Sequence, residues 1–205
     1  EVGIAGGAGN CSVMPLKVVK DNGKIDINTE INALMYAIDH GVKIINMSFS
    51  GTGAFESERQ AINYIWNKNG ISIACSGNDN TDASNTYPCS YEHVIGVGAT
   101  TSTDERWEKS NFGSTVDIYS PTNVLTTERG GGYAYWSGTS MSAPGPTGLA
   151  ALIWSVHPDW TNQQVYDKIL SSADTITIDK GNVLRMNSRK ALDIEKDTTQ
   201  VIEEN

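Results

Sequence analysis

Three observations on the sequence predict an α/β domain with a mainly parallel central sheet. Short apolar segments at residues 13–19, 42–47, 71–75 and 94–99 have the length and β-branched content of buried strands. Segments with a single apolar helical face lie between several of them. Strands that alternate with helices at this spacing are typical of a parallel sheet with crossover helices. In such sheets, functional groups gather in the loops beyond the carboxyl ends of the strands.

Two helices are predicted in the first third of the chain. The apolar side chains of the first recur at the i, i+3, i+4 and i+7 spacing of one helical face: Ile31, Leu34, Met35 and Ile38. Asn28 or Thr29 is the expected N-cap, and His40-Gly41 is the expected end of this helix. The second helix contains Ile62, Ile65 and Trp66 and is expected to end near Asn69-Gly70.

The second half of the chain has a less regular pattern. Residues 100–132 are irregular, except for a strand predicted at 117–120 directly before Pro121. A long apolar segment at 149–156 predicts a helix, and Thr161 with Gln164 predicts a capping box that opens another. Residues 193–205 hold five acidic residues and one lysine, which predicts a solvated acidic tail after a domain at 1–192.

Composition excludes several classes of protein. Hydrophobic residues make up 39% of the 205 residues and charged residues 19%, which is typical of a chain with a packed core. The net charge of −9 argues against nucleic-acid binding, because phosphates require a basic surface. The most apolar stretch, 148–154, is far shorter than the roughly 20 residues of a membrane-spanning helix. The three cysteines have no zinc-site spacing.

The segment SGTSMSAP at residues 137–144 carries the most specific chemical signal. A helix that begins at Ser140 would place the serine hydroxyl and its backbone N–H where developing negative charge is stabilised. A serine in that position is a candidate nucleophile whose own N–H stabilises an oxyanion. An ordinary helix N-cap is the alternative interpretation.

Two further segments follow predicted strands. In SGNDN, at residues 76–80, Asn78 would direct its amide into a cleft at the carboxyl end of a strand, although an Asx turn explains the same residues. In NMSFSG, at residues 46–51, an exposed edge could pair with an extended peptide. The alternative for this segment is an ordinary loop between a strand and a helix.

In this order, the three segments resemble those of the subtilisin-like serine peptidases, the subtilases. GTSMSAP resembles the nucleophile segment of that family, and Ser-Gly-Asn resembles its oxyanion segment. Other matching segments are YPCSYEHVIGVGA at 87–99, NFG at 111–113, VDIYSP at 116–121 and His157-Pro158. The resemblance runs from about residue 3 to residue 192, and it implies a three-layer α/β sandwich with a mainly parallel sheet.

The resemblance also implies roles for individual residues. Ser140 would be the nucleophile that forms an acyl-enzyme during peptide-bond hydrolysis, and Asn78 with the Ser140 backbone N–H would form the oxyanion hole. The family's substrate-binding edge strand corresponds to Ser48, Phe49, Ser50 and Gly51. The walls of its primary specificity pocket correspond to Ala74, Cys75, Ser76 and Gly77. Cys89 would lie at the far side of that pocket, where a disulfide bond with Cys75 is a hypothesis.

Two parts of the catalytic triad have no counterpart in the sequence. Subtilases carry Asp and His upstream of Ser, and neither the D-[ST]-G nor the H-G-T-x-V-A segment occurs here. We therefore expect a partial peptidase domain without its N-terminal part, inactive by itself, with both residues upstream of Glu1. None of His40, His93 and His157 is expected to be the general base. Pro146 departs from the family pattern and is expected to perturb the nucleophile helix.

The remaining expectations concern partners, metals and compartment. A polypeptide substrate is expected, and a propeptide or the upstream part of the same domain would be a further partner. The chemistry requires no cofactor, whereas a structural calcium ion is left open by the resemblance. Extracellular localisation is the family default. The alternative function is a catalytically inactive subtilase-like module that binds or regulates another protein, a pseudopeptidase.

Overall fold

The computed structural model describes residues 3–194. Most of the predicted acidic tail, residues 195–205, lies outside the described residues, so the division at residue 192 stays a prediction. Within the described part of the chain, no helix is long and apolar enough to cross a membrane.

A six-stranded sheet forms the centre of the described structure. Five of its strands run parallel in the spatial order β1, β2, β3, β4 and β8, and β7 pairs with β8 in the antiparallel direction. Their bounds are β1 Ile44–Met47, β2 Ile71–Cys75, β3 Val94–Thr100, β4 Ile118–Pro121, β7 Asp174–Ile178 and β8 Gly181–Arg185. A separate antiparallel hairpin consists of β5 Val124–Thr127 and β6 Tyr133–Trp136.

The helices lie on both faces of the sheet and make three layers. Their bounds are α1 Ile27–Asp39, α2 Glu56–Asn67, α3 Thr139–Ser142, α4 Pro144–Val156, α5 Asn162–Ser171 and α6 Ser188–Ala191, with a 3₁₀ turn at Ala83–Asn85. On β2, Ile71 and Ile73 pack in the cluster that contains α4 and α5, whereas Ala74 packs in the cluster of α1 and α2. This alternation follows from the two-residue repeat of a strand that is buried on both faces.

Several predicted elements are confirmed. The predicted strand at 71–75 is β2, and the strand predicted at 94–99 is β3 with one further residue. The capping box of α5 is present, because the Thr161 side chain accepts from the backbone of Gln164 and the Gln164 side chain accepts from the backbone of Thr161. The N-cap of α1 was predicted wrongly: Asp26 caps the helix by accepting from the Thr29 N–H at 3.2 Å. Asp26 precedes both predicted candidates, Asn28 and Thr29, which therefore lie inside the first turn of the helix.

The strand predicted at residues 13–19 is wrong. Val13 is 86% exposed, and in this segment only Val19 forms a bridge, with Ile25. Leu16 and Val18 line a small pocket together with Ile45 of β1 and do not join its ladder. Apolar content is shared by a buried strand and by an extended segment that lies over a sheet edge. The two differ only in backbone hydrogen bonding to a neighbour, which the sequence pattern does not contain.

Asp117 fixes the start of β4 against β3. Its Oδ2 accepts a hydrogen bond of 2.7 Å from the Gly96 N–H. Burial outweighs this hydrogen bond and raises the pKa of Asp117 to about 6. The folded protein therefore binds a proton at a pH where the unfolded chain has already released it.

We expect Asp117 to make stability depend on pH between its ordinary pKa of 3.8 and its folded pKa of about 6. Because the folded pKa is raised, the contribution of this group is fully present below pH 3.8 and is lost as the pH rises to about 6. Asp117→Asn should therefore gain on the order of 2–3 kcal/mol relative to wild type on going from below to above this window. Urea unfolding of both full-length proteins at several pH values measures it, and a pH-independent difference would contradict it.

Candidate active site

Ser140 lies in the first turn of α3, and the residue before this helix is Gly138, whose backbone conformation favours glycine. Gly138 is the N-cap residue and has a φ of +149°. Its N–H donates to the Thr122 hydroxyl at 2.7 Å, and that hydroxyl donates to the Gly138 carbonyl oxygen at 3.0 Å. Thr122 follows β4, so the end of this strand fixes the turn that presents Ser140.

Two prolines follow the short helix that carries Ser140. Pro144 and Pro146 lack an N–H, so the carbonyl groups of Ser140 and Ser142 lose their helical donors. The Ser48 hydroxyl donates to the Ser140 carbonyl oxygen at 2.8 Å and replaces the first lost donor. The chain passes from α3 to α4 through Ala143 with a helical φ of −55°. Pro146 lies in the first turn of α4, and the helix continues from there to Val156.

The hydroxyl of Ser140 faces the end of β1 and the end of β2. Its Oγ donates to the Ser48 carbonyl oxygen at 3.0 Å and lies 3.8 Å from the Cys75 Sγ. Ser140 is half-buried, whereas Cys75 is buried, and burial raises the pKa of the Cys75 thiol. A buried thiol of raised pKa is a poor nucleophile. Ser140 is thus the accessible nucleophilic group of this pair.

Asn78 lies next to Ser140, and its amide orientation is fixed by Thr139. The Asn78 Oδ1 accepts from the Thr139 N–H and from the Thr139 hydroxyl, both at 2.9 Å. The Thr139 hydroxyl in turn accepts from the Gly77 N–H at 3.2 Å. Because the oxygen of the amide faces Thr139, its Nδ2 is left to donate elsewhere, and among the described residues no protein acceptor takes it up.

Two N–H donors converge beside Gly138. The Asn78 Nδ2 and the Ser140 backbone N lie 3.7 Å and 3.9 Å from the point that a Cβ on Gly138 would occupy. These are ordinary van der Waals distances, so the two donors border the same space beside Gly138. The arrangement has the donors that an oxyanion hole requires: one backbone N–H at a helix N-terminus and one side-chain amide.

Asn111 holds the loop that carries Asn78, and sequence reasoning assigned it no role. It is 1% exposed, and its Oδ1 accepts from the backbone N–H groups of Asp79 and Thr81 at 2.9 and 3.1 Å. A Cβ on Gly77, which has a φ of +98°, would lie 2.5 Å from the Asn111 Nδ2. The sequence signal was the NFG segment at 111–113, which was matched to the family as a segment only.

The cleft beside Ser140 has a volume of about 770 Å³. Phe49, Ser50 and Gly51 line it together with Asn78 and Ser140, so most of the predicted substrate edge lies at the candidate site. Gly51 is held by a reciprocal backbone pair, in which its N–H donates to the Tyr87 carbonyl oxygen at 2.9 Å and the Tyr87 N–H donates back at 2.8 Å. Ser48 reaches the site through its contacts with Ser140.

The predicted specificity-pocket residues lie deeper. All four are buried at the end of β2 and directly after it, and none of them lines the cleft in the described part of the chain: Ala74, Cys75, Ser76 and Gly77. Gly77 and Cys75 contact the candidate site through Thr139 and Ser140. Their role as pocket walls stays a prediction.

The disulfide hypothesis is wrong, because Cys75 and Cys89 are both free thiols. Cys75 packs in the cluster beneath α4, and Cys89 packs in the cluster on the α1 and α2 side of the sheet. The Cys89 Sγ instead lies 3.4 Å from the Thr115 carbonyl oxygen, and burial raises the pKa of its thiol. The resemblance located both residues near one pocket but did not distinguish the two faces of the sheet.

The three histidines are engaged away from Ser140. The rings of His40, His93 and His157 stack on Tyr36, Trp66 and Trp160 with centroid separations of 3.9, 4.5 and 3.9 Å. Among residues 3–194, no histidine nitrogen forms a hydrogen bond with Ser140. The same residues hold no group of three or more His, Cys, Asp or Glu side chains placed to bind a metal ion.

The parallel α/β sheet, with a serine at a helix N-terminus beside a free amide donor, has the architecture of a class of serine peptidases. The chain belongs to the subtilase family, whose sequence profile matches residues 1–197. This confirms the family that the sequence motifs indicated.

Individual relatives show how much of the family domain the chain spans. It is 36% identical to the thermophilic serine proteinase of Bacillus sp. strain AK1, over 85% of this chain and 43% of the relative. It is 34% identical to subtilisin E of Bacillus subtilis, over 84% of this chain and 46% of the relative. The chain thus spans about half the length of these curated relatives.

The comparison with solved structures confirms the fold. A protease structure from Pseudoalteromonas arctica matches 93% of this chain and 65% of its own chain, with a TM-score of 0.88 and 26% sequence identity. A cold-adapted subtilisin-like serine proteinase matches 84% of this chain and 65% of its own, with a TM-score of 0.79 and 28% identity.

We expect Asn111→Ala to destabilise the protein by about 1–3 kcal/mol, because it leaves N–H groups of the Asn78 loop without their acceptor. Asn182→Ala is the control, since Asn182 is exposed and bonds only to Thr177; its effect should stay within about 0.5 kcal/mol. Urea unfolding of the full-length proteins measures both changes. Equal effects of the two substitutions would contradict the role given to Asn111.

Proposed function

We propose that this chain is the serine-bearing portion of a subtilase endopeptidase. Ser140 Oγ attacks the carbonyl carbon of a peptide bond, and the amine of the C-terminal product leaves to give an acyl-enzyme. Water then attacks the ester carbonyl and releases the carboxylic acid, which restores the Ser140 hydroxyl. The substrate is a polypeptide that lies in the cleft bounded by Phe49, Ser50 and Gly51.

The observation that carries this proposal is the fixed orientation of the Asn78 amide. Thr139 occupies the Asn78 Oδ1 with two hydrogen bonds of 2.9 Å, so the Nδ2 is available to the negative charge that develops on the substrate oxygen. The Ser140 backbone N–H is the second donor. Preorganised donors stabilise the transition state without reorganisation, which makes such a pair a large contribution to catalysis.

The general base of the proposed reaction comes from outside residues 1–205. A serine hydroxyl is a weak nucleophile until a base accepts its proton. In the present structure that proton is donated to the Ser48 carbonyl oxygen, which does not accept it as a base. A histidine oriented by an aspartate upstream of this chain would complete the triad.

The engagement of all three histidines elsewhere also favours a second candidate, a pseudopeptidase that binds polypeptides without hydrolysing them. The two functions differ in the reactivity of Ser140 in the full-length protein. The retained Asn78 orientation favours the peptidase, since a module that only binds has no need of a free oxyanion donor.

We expect the full-length protein to react with a fluorophosphonate probe at Ser140, because only an activated serine displaces the fluoride. Ser140→Ala should abolish labelling, and Ser155→Ala should not, since Ser155 is an exposed serine of α4 bonded to its own helix. Gel fluorescence and mass spectrometry of the labelled peptide measure the result. A folded wild type that stays unlabelled would support the pseudopeptidase instead.

We expect Asn78→Ala to lower kcat by roughly 10²- to 10³-fold, with little change in KM, because the donor acts on the transition state. That magnitude is the one measured for the oxyanion-hole asparagine of a subtilisin. Peptide hydrolysis by the full-length enzyme measures it, with Asn182→Ala as the exposed control. A rise in KM at constant kcat would assign Asn78 to substrate binding and contradict the proposed role.

A further inference from the structure

Two carboxylic acids lie in the wall of the cleft that contains Ser140. Glu30 of α1 and Glu58 of α2 are 4% and 3% exposed, and both line the cleft together with Ser140 and Asn78. Buried carboxylic acids are rare, because removing a charge from water is costly unless it is paired.

Both residues interrupt apolar helical stripes. Glu30 shares the buried face of α1 with Leu34, Ala37 and Ile38, and Glu58 shares that of α2 with Ala61, Ile62 and Ile65. An apolar residue at either position would pack against the same neighbours without the cost of burying a carboxyl group. Two carboxyl groups at such positions, facing one cavity, indicate a ligand rather than a contribution to the core.

One oxygen of the two carboxyl groups lacks a partner. The Glu58 Oε2 accepts a hydrogen bond of 2.9 Å from the Tyr91 hydroxyl, and that hydroxyl accepts one of 2.8 Å from the Phe55 N–H. The Glu30 Oε1 is buried and has no hydrogen-bond partner among the described residues. The cleft therefore contains a free acceptor next to a fixed one.

Among the described residues, no positively charged side chain forms an ion pair with Glu30 or Glu58. Two other charged residues line the cleft, and one of them, Lys24, is exposed. The other, Asp26, is a third acidic group; it caps α1 and accepts a hydrogen bond of 3.4 Å from Lys20. On α2, Arg59 pairs with the exposed Glu56. In the described part of the chain, neither Glu30 nor Glu58 forms a salt bridge.

Without a ligand, a proton takes the place of a cation. Burial and the neighbouring Glu58 raise the pKa of Glu30 to about 8, so that Glu30 keeps its proton at neutral pH. A bound ammonium or guanidinium group would replace this proton and supply donors to the unpaired Glu30 oxygen.

We propose that Glu30 and Glu58 form a subsite that binds the side chain of a lysine or arginine of the polypeptide substrate, within the cleft that leads to Ser140. This inference rests on the proposed function, because it makes the occupant of the cleft a peptide that extends from the scissile bond. The pair thereby sets the substrate class: polypeptides with a basic residue at one defined distance from the cleaved bond.

The test is a lysine scan of a quenched fluorescent peptide with the full-length enzyme. Each position on either side of the scissile bond carries lysine or norleucine, which differ in charge at similar length. We expect lysine to raise kcat/KM roughly 10- to 100-fold at one position, as charge-assisted hydrogen bonds do. Glu30→Gln and Glu58→Gln should reduce that preference to near unity, whereas Glu56→Gln, an exposed carboxylate of α2 outside the cleft, should preserve it.

A pH series provides a second readout. Arginine at the preferred position keeps its charge, so its advantage over norleucine should grow as the pH rises through about 8 and Glu30 releases its proton. In Glu30→Gln this growth should disappear. A lysine scan without a preferred position, or a preference that survives both glutamine variants, would overturn the subsite.

Peptide binding to the Ser140→Ala protein separates this inference from the proposed function. Fluorescence anisotropy of a labelled peptide, with lysine or norleucine at each scanned position, measures binding without hydrolysis. In one outcome, the peptide binds with a lysine preference that Glu30→Gln removes, while the wild type does not react with the fluorophosphonate. That combination would support the subsite and contradict the peptidase. Hydrolysis at the same rate with lysine and with norleucine at every position would support the peptidase and contradict the subsite.

Discussion

The backbone of residues 138–140 is held by groups from three different strand ends, and the rest of the candidate site depends on this constraint. Thr122 after β4 bonds both backbone groups of Gly138, Asn78 after β2 accepts from Thr139, and Ser48 after β1 bonds Ser140. All three strands are parallel, so their carboxyl ends lie at one edge of the sheet. A helix that begins at this edge can therefore be anchored by several loops at once.

The same hydrogen bonds determine which groups remain free. Thr139 occupies the oxygen of the Asn78 amide, and Ser48 occupies the Ser140 carbonyl oxygen that Pro144 leaves without a helical donor. What is left unpaired among the described groups of the site is a pair of N–H donors, whereas the Ser140 hydroxyl donates to the Ser48 carbonyl oxygen. Preorganisation here means that the acceptors are satisfied within the protein, so that the donors are available to a ligand.

Chemistry and recognition are assigned to different parts of the fold. The candidate catalytic groups lie at the sheet edge, where backbone register fixes their positions. The acidic pair lies on α1 and α2, which pack on one face of the sheet and meet the cleft with their first turns. Exchange of Glu30 or Glu58 for apolar residues would leave the bonds around Ser140 in place, since these helices contribute none of them. Selectivity can therefore change in this fold without a change in the reacting groups.

The sequence alone determined the features that depend on residues close together in the chain. The nucleophile segment at 137–144, the strand at 71–75 and the capping box of Thr161 and Gln164 all draw their signal from contiguous residues. The tertiary structure decided what depends on partners distant in sequence. The segment at 13–19 has a strand's composition but no ladder partner in the described structure, and Cys75 and Cys89 pack on opposite faces of the sheet. Glu30 and Glu58 received no role from the sequence, and only helix packing, which brings both to one cavity, gives them a shared electrostatic role.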